Sequence, residues 1–431
     1  MDKINVLIFP SGGENAINIY DSLKYNLHFE LFGATSVDDY SKYIYKQNNF
    51  SFDNYYISND DFIDKFNKML NDFSINYIIP THDTIALYLI ENQNNINAKV
   101  ICSPLETTRI AHSKKQIFEE LKNKAYCPKI FASIEEIDKY PVFLKPDVGA
   151  GAKGTFLAKN KVEVDKFIDR NKNMVISEYL PGEELTVDCF TNNKGNLIFV
   201  GPRTRERITM GISFTSNTVK LDTEIEQIAN DLNSTFKFNG AWFFQVKKDI
   251  SNKYKIMEFS VRQAGTMALY RELGVNFAAL SIFDAMGMDV NVLYNDYNLT
   301  LDRRLKNAYK FDYDFDKVYI DFDDTIIVKN KINTVAMTFL YQCINKNKKI
   351  YLITKHEGNI KEELKKYKID IGIFDEIILL KENEKKSDFI DNKNSIFIDN
   401  YYLERKLVYE NNNIPVFDVD AIECLIDYSE L

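Results

Sequence analysis

Short apolar runs that alternate with helical patterns occur at both ends of this sequence, and they constrain its fold more than any other feature. Near the start, "INVLIF" precedes "SGGENAINIYDSL", and "INYIIP" precedes "HDTIALYLIENQ". Near the end, helical segments separate "VYIDF", "KIYLIT" and "SIFID". Strands that are apolar on both faces, with helices between them, are typical of parallel sheets. The sequence therefore predicts a parallel α/β sheet at each end of the chain.

The length of 431 residues exceeds what one ordinary core holds. We predict three domains of mixed α/β and α+β class, at residues 1–110, 111–308 and 309–431. The last boundary falls where "AYKFDYDFDK" interrupts the regular pattern.

Composition narrows the class of protein. The chain is 45% hydrophobic and 27% charged, and no apolar run approaches the ~20 residues that span a bilayer. The five cysteines have no paired spacing, so neither a disulfide framework nor a zinc site is predicted. A net charge of −9 argues against a nucleic-acid partner. We expect a cytoplasmic protein with no membrane partner.

A glycine-rich loop follows a strand in "PVFLKPDVGAGAKGTFLAKN" at residues 141–160. The strand delivers Lys145 to the start of the loop. Glycines let the backbone approach phosphate oxygens, and lysines neutralise phosphate charge. By itself the loop is equally compatible with an ordinary hairpin. The loop residues predicted to lie over phosphates are Gly149, Gly151, Lys153 and Gly154.

Acidic and amide residues follow on later strands. "MVISEYLPGEELTVDCF" at 174–190 contains two acids separated by a turn. "GAWFFQVKKD" and "KIMEFSVRQAG" then place Gln245 opposite Glu258, with Arg262 nearby to hold phosphate. Their oxygens are ligands suited to Mg²⁺. A single strand carboxylate is more often a solvated ion pair, but this ordered series is less expected by chance.

The series resembles the ATP-grasp superfamily, in the branch with the carbamoyl-phosphate synthetase large subunit and many carboxylate–amine ligases. The resemblance covers about residues 1–300 and implies a Rossmann-like first domain, an ATP-grasp fold, and ATP and Mg²⁺ as cofactors. It also implies small-molecule carboxylate and amine substrates, and relatives are often homodimers. Lys145 and Lys115 would contact the nucleotide phosphates, with Lys114 as the competing choice.

Further roles follow from the same resemblance. Gln245 and Glu258 would bind Mg²⁺. Ser260 stands where these enzymes usually carry Asn in a Glu-x-Asn-x-Arg motif, which puts a second metal ion in doubt. The residues implied to hold adenine at the hinge, and then the ribose, are Glu178, Tyr179 and Leu180, and Glu184.

Three arginines alternate in "GPRTRERI" at 201–208: Arg203, Arg205 and Arg207. Alternate residues of a strand share one face, so we expect their guanidinium groups to point into one cleft. There they would hold the acceptor carboxylate or an acyl phosphate. A solvated strand face is an equally good explanation.

The last section places polar residues at the ends of apolar strands, where parallel sheets bind ligands. It resembles the haloacid dehalogenase (HAD) superfamily in its Asp-x-Asp-x-Thr, a strand-terminal Thr, a Lys and a late acid. The resemblance implies a HAD-like Rossmannoid parallel sheet, with a Mg²⁺ ion held by Asp321, Asp323 and Asp399. Little sequence is left for a cap, so an open site is expected.

The resemblance also implies roles in catalysis. Asp321 would attack phosphorus and Asp323 would transfer protons, while Thr354 and either Lys385 or Lys386 would bind the phosphoryl oxygens. A domain kept only for docking is the alternative.

Together, the two resemblances predict a bifunctional enzyme, in which an ATP-dependent carboxylate–amine ligase is fused to a phosphatase. One version joins a uronic acid to a phosphorylated amino alcohol, as in surface polysaccharide precursors, and then removes the phosphate. Two alternatives are a kinase that acts on a carboxylate or amide, and a nucleotide-binding regulatory protein with residual sites.

Overall fold

The structure is a computed structural model that describes residues 3–149, 151–209, 212–304, 306–309 and 313–430. The chain forms two compact units, unit 1 (Met1–Leu305) and unit 2 (Lys306–Leu431). The boundary between them lies close to the predicted one at 308/309. The predicted boundary at 110/111 falls inside the helix Leu105–His112, so the further division of unit 1 stays a prediction.

Unit 1 begins with a five-stranded parallel sheet of order β3-β2-β1-β4-β5, as predicted for this end of the chain. Its strands are β1 (Ile4–Phe9), β2 (Phe29–Thr35), β3 (Phe50–Phe52), β4 (Tyr77–Pro80) and β5 (Lys99–Val100). The helices of this part are α1 (Glu14–Leu23), α2 (Phe62–Asp72), α3 (Asp83–Glu91) and α4 (Leu105–His112). The strand order reverses between β1 and β4, so the loops after these two strands frame a crevice of the kind that binds ligands.

An antiparallel sheet of order β6-β9-β7-β8 follows. Its elements are α5 (Lys114–Leu121), β6 (Ile130–Phe131), β7 (Val142–Pro146), β8 (Phe156–Ala158), α6 (Lys161–Ile168) and β9 (Met174–Glu178). The strands β6–β9 are short, and their buried apolar residues pack against α6.

The rest of unit 1 contains an antiparallel sheet of order β11-β10-β14-β15 and a smaller sheet of order β12-β13-β16. The strands are β10 (Glu184–Thr191), β11 (Leu197–Thr204), β12 (Glu206–Thr209), β13 (Ile212–Asn217), β14 (Gly240–Lys248), β15 (Tyr254–Ser260) and β16 (Thr300–Asp302). The helices are α7 (Thr223–Thr235), α8 (Ala268–Glu272) and α9 (Phe277–Ala285). Trp242 on β14 is fully buried and stacks on Phe238 with ring centroids 3.8 Å apart.

Unit 2 is a second parallel sheet, of order β21-β20-β17-β22-β23, as predicted. Its strands are β17 (Lys317–Ile320), β18 (Ile327–Val328), β19 (Lys331–Ile332), β20 (Lys349–Thr354), β21 (Glu376–Leu379), β22 (Ser395–Ile398) and β23 (Val416–Phe417). Its helices are α10 (Thr334–Asn345), α11 (Ile360–Lys366) and α12 (Tyr402–Asn412). Between β17 and α10, the strands β18 and β19 form a small antiparallel hairpin.

In the parts of the chain that the structure describes, no helix combines the length and the apolar character needed to cross a membrane.

Candidate active sites

Lys145, near the end of β7, and Glu258, on β15, lie in one site of unit 1. The Lys145 ammonium is buried and donates a hydrogen bond to the carbonyl oxygen of Met257, at 2.8 Å. Burial lowers the pKa of Lys145 to about 8, although the Glu258 carboxylate opposes this; the nearby Lys114 lowers the pKa further. A cation held this way is positioned to meet a strongly anionic ligand.

The structure places Lys114, the competing choice, beside Glu258 in this site, and the phosphate contacts of Lys114 and Lys115 stay predictions. The Lys114 ammonium lies 3.3 Å from a Glu258 oxygen and donates to the carbonyl of Gly149 at 3.0 Å. The exposed Lys115 instead donates to Asn173, at 2.7 Å. The cause is local: Ser113 caps α5, so the helix begins at Lys114, and successive helical residues point about 100° apart.

Gln245 and Glu258 face each other across the β14–β15 pair. Both offer hard oxygen donors of the kind that Mg²⁺ prefers. Among the described residues, no group of three or more His, Cys, Asp or Glu side chains could hold a metal ion. The pair nevertheless fits a magnesium ion that takes its other ligands from substrate phosphates and water, as is usual for this metal.

The glycine-rich loop adopts backbone conformations that favour glycine. Gly149, Gly151 and Gly154 have φ angles of 152°, 68° and 73°. A Cβ atom on Gly154 would lie 3.0 Å from Cγ of Pro146, so the loop folds tightly over the end of β7. Lys153 is exposed in this loop, and Ala150 lies outside the described residues.

The predicted hinge residues lie where the chain passes from β9 to β10. Glu178 accepts a hydrogen bond from the Lys129 amide at 2.8 Å, Tyr179 is exposed and Leu180 is buried. Glu184, the first residue of β10, contacts Arg205 Nε at 2.6 Å and Lys247 Nζ at 3.5 Å. Their roles towards adenine and ribose stay predictions.

The three arginines of 201–208 do not share one face, because the strand breaks at Arg205 between β11 and β12. Arg203 is 1% exposed and binds the Asp188 carboxylate through Nε and Nη2, at 2.7 and 3.0 Å. Arg207 has a φ angle of 41° and binds Asp302 at 2.6 Å. Arg205 forms an ion pair with Glu184 at 2.6 Å; burial lowers the pKa of Arg205, and Glu184 and Glu258 oppose this shift.

Arg262 is held by a residue that none of the sequence motifs includes. Asp83, the first residue of α3, accepts hydrogen bonds or ion pairs from Arg262 Nε at 2.9 Å and Nη2 at 2.8 Å, and from Ser260 Oγ at 2.5 Å. Burial acts to raise the pKa of Asp83, but Arg262 and Ser260 outweigh this and keep it below its usual value. The guanidinium therefore lies on Asp83, whereas it was expected to hold phosphate. Asp83 follows β4 in "THDT", and the strand-end argument that identified Asp321 also applies to it.

In unit 2, the register of the parallel sheet brings Asp321 and Asp399 together. Ile320 pairs with Ile398, so the aspartates that follow them lie at the same edge of the sheet. Lys386 bridges them, with its ammonium 2.6 Å from an oxygen of each. Lys386 has a side chain only 4% exposed, whereas Lys385 is exposed, so Lys386 is the lysine of this pair that lies in the cluster.

Burial dominates the ionisation of this cluster. It raises the pKa of Asp321 to about 6; Lys386 opposes this shift and Asp399 adds to it. Burial also raises the pKa of Asp399. Burial alone would lower the pKa of Lys386, but the two carboxylates reverse the effect and raise it. The three groups form a charged pocket in which a cation and a phosphoryl group would each find a counter-charge.

Asp323 and Thr354 are two further predicted residues that follow or end strands of this sheet. Thr354, at the end of β20, hydrogen-bonds Asp321. The Asp323 side chain is 55% exposed and lies 2.8 Å from Nδ1 of His356. The Asp323 carboxylate is therefore partly exposed and held by His356, and its roles in metal binding and proton transfer stay predictions.

Comparison with known families supports the first resemblance. A family model described as "ATP-grasp in the biosynthetic pathway with Ter operon" matches residues 170–302, which lie within unit 1. A D-alanine–D-alanine ligase of Fusobacterium nucleatum subsp. nucleatum is 38% identical over 89 residues. That match covers 21% of this chain and only 30% of the ligase.

Solved structures extend the likeness over more of the chain. The biotin carboxylase domain of Hydrogenobacter thermophilus 2-oxoglutarate carboxylase, in complex with MgADP, ADP and bicarbonate, superposes with a TM-score of 0.55 at 14% identity. It covers 68% of this chain and 71% of its own. An L-amino acid ligase from Bacillus licheniformis gives a TM-score of 0.53 at 14% identity, covering 66% and 74%. The family match and the solved structures agree that the chain resembles ATP-grasp proteins in its fold.

Proposed function

We propose that unit 1 is an ATP-dependent carboxylate–amine ligase. The observation that carries the proposal is the meeting of Lys114, Lys145 and Glu258 beside a tight glycine loop. Cations and backbone amides at that place suit nucleotide phosphates, and the structural relatives include a MgADP complex and an amino acid ligase. The D-alanine–D-alanine ligase match is in the same class of reaction.

The residues divide the work as follows. Lys114 and Lys145 hold the nucleotide phosphates, and Gln245 and Glu258 would hold Mg²⁺, which when bound offsets charge on the phosphates. A substrate carboxylate oxygen attacks the γ-phosphorus of ATP, the bond to ADP breaks, and an acyl phosphate forms. The amine nitrogen then attacks the carbonyl carbon, phosphate leaves, and the amine releases a proton. Positioning and neutralised charge provide most of the rate enhancement.

For unit 2 we propose a HAD-type phosphatase. Asp321 attacks phosphorus, the phosphoester bond breaks, and Asp323 gives its proton to the departing alkoxide. Asp323 then takes a proton from the water that hydrolyses the aspartyl phosphate. Lys386 and Thr354 hold the phosphoryl oxygens, and Asp321 and Asp399 would hold Mg²⁺. With a pKa of about 6, Asp321 is mostly ionised at neutral pH, as a nucleophile must be.

One pathway would use both units in order. Unit 1 would join a uronic acid to a phosphorylated amino alcohol, and unit 2 would remove the phosphate, which makes the sequence irreversible. The Ser260 hydroxyl donates a hydrogen bond to Asp83, so it is not free to serve as a second metal ligand. We favour an active enzyme over a regulatory protein because Lys114 and Glu258 lie 3.3 Å apart in the proposed phosphate site.

The test is mass spectrometry of products from ATP, glucuronate and O-phosphoethanolamine. Wild type should form the dephosphorylated amide, Asp321→Asn should accumulate the phosphorylated amide, and Glu258→Ala should form neither. The controls Glu272→Ala and Asp324→Asn, at exposed acids, should behave as wild type. ADP formation without any amine would indicate a kinase instead. Nucleotide binding without ADP formation across a wider panel of acids would indicate a regulatory protein.

A further inference from the structure

We propose that unit 1 contains a second anion site, centred on Arg303, that binds a carboxylate or phosphate group of the substrate that does not react. The site would take a small acid with two anionic groups, one activated by ATP and one held by arginine. The inference rests on the proposed ligase function for calling this ligand a substrate. Its physical basis is a set of buried polar atoms that lack partners.

Arg303 follows β16 and has a side chain only 9% exposed. Its Nη2 atom is buried without a hydrogen-bond partner. Its ion pair with Glu14 is long, at 3.7 Å from Nε to Oε1, and the Glu14 side chain is 52% exposed. Buried guanidinium groups are nearly always paired, so an unused N–H edge here points to a missing acceptor.

Arg203 also has a guanidinium nitrogen that makes no hydrogen bond. Asp188 occupies its Nε and Nη2 atoms, whereas Nη1 is buried without a partner. Burial lowers the pKa of Arg303, Glu14 opposes this, and Arg203 is close enough to lower it further. An anion on Arg303 would offset the repulsion between the two arginines.

Gly265 and the loop that precedes Glu14 provide two further observations. A Cβ atom on Gly265 would lie 2.9 Å from Nη2 of Arg303, so glycine lets the guanidinium approach the backbone. Ser11, three residues before Glu14 in the loop between β1 and α1, also has a buried hydroxyl oxygen without a partner. The Ser11 hydroxyl can donate a hydrogen bond to an anion.

The site is linked to the proposed phosphoryl centre by a series of interacting charges. The pKa of Arg205 responds to both Glu258 and Arg203, and that of Arg303 responds to Arg203. The arginines therefore form a series that leads from the phosphoryl centre to Arg303. A substrate that spans this series would place one anionic end at each terminus.

The experiment is calorimetric titration of the full-length chain saturated with Mg²⁺ and β,γ-imido-ATP, which fills the triphosphate site. Succinate is the probe in one arm and inorganic phosphate in the other, at constant ionic strength. Wild type should bind one of them, and the arm that binds identifies carboxylate or phosphate as the group. Loss of a charge-assisted, two-pronged contact in Arg303→Gln should weaken that binding about tenfold or more.

Matched variants make the result specific. Arg304→Gln changes an exposed neighbour and should bind as wild type. Arg303→Lys keeps the charge without the planar fork and should bind with intermediate affinity, which separates a lost contact from misfolding. The proposal is overturned if neither probe binds, or if Arg303→Gln binds as wild type. Failure of β,γ-imido-ATP to bind in the first titration would instead count against the proposed ligase.

Discussion

A buried ammonium group carries a free-energy cost in the proposed nucleotide site. The pKa of Lys145 falls from 10.5 to about 8, and a shift of this size corresponds to about 3 kcal/mol against the charged form in the folded state. The full cost is present below pH 8. As the pH rises from 8 to 10.5, the folded state loses the proton before the unfolded state does, so the cost is relieved.

We therefore predict that Lys145→Met unfolds with a higher free energy than wild type at pH 7, by about 1–2 kcal/mol after the lost bond to Met257 is included. The difference should shrink as the pH rises from 8 to 10.5. Urea unfolding without nucleotide or metal measures it, and Trp242, the single tryptophan, reports unit 1 alone. Lys153→Met, at the exposed lysine of the loop, is the control. A difference that does not change with pH would contradict the prediction.

For single residues, the spacing in the sequence shows which strands end in charged residues. It does not show which of two adjacent residues points into a site. Asp321 and Asp399 were predictable because both follow apolar strands. Lys385 and Lys386 differ by one position in a turn, and only the folded backbone decides which side chain points inward. Arg303 gave no signal, because "LDRRL" has no motif and its position depends on packing against Gly265.

At the scale of elements, the parallel sheets were predictable because wholly apolar runs leave few alternatives. The arginine strand was not, since alternation assumes an unbroken strand. The break at Arg205 turns Arg207 towards Asp302 in the smaller sheet and leaves Arg203 in the core with Asp188. No residue in "GPRTRERI" is a glycine or proline at the break, so the sequence carried no local warning.

The glycine loop gives a prediction at this scale. Gly154→Ala would place an alanine in a left-handed backbone conformation, at φ 73°, with its methyl group 3.0 Å from Pro146. We expect this variant to bind MgATP more weakly and to have a free energy of unfolding lower by about 1–2 kcal/mol. Gly195→Ala is the matched control, with φ 81° and no heavy atom within 4 Å. Its stability should fall by a similar strain, but its MgATP affinity should not change. Equal effects of both variants on affinity would count against a phosphate role for the loop.

At the scale of the whole molecule, the hydrophobic clusters of the described residues each lie within one unit. The large cluster around Trp242 belongs to unit 1, and the clusters around Phe339 and Phe397 belong to unit 2. We expect each of these cores to unfold as one cooperative unit. The two proposed sites also lie in different units, so each ligand should stabilise one core.

Calorimetry should accordingly show two thermal transitions. β,γ-imido-ATP with Mg²⁺ should raise the transition that Trp242 reports, and orthovanadate with Mg²⁺ should raise the other, each by about 2–4 °C at a hundredfold excess over Kd. Asp321→Asn should abolish only the vanadate shift, and Asp324→Asn should retain it. One transition that responds to both ligands would refute this independence.

Because Asp83 binds both Ser260 and Arg262, shortening or recombining the chain between these residues would break the contact. The segment that matches the family model begins at residue 170, so it leaves out Asp83 as well as Lys114 and Lys145. A chimera grafted at that point would inherit the late strands but leave Arg262 with no carboxylate to dock on. A shortened form of this protein that keeps the contact must therefore include Asp83 and the first sheet.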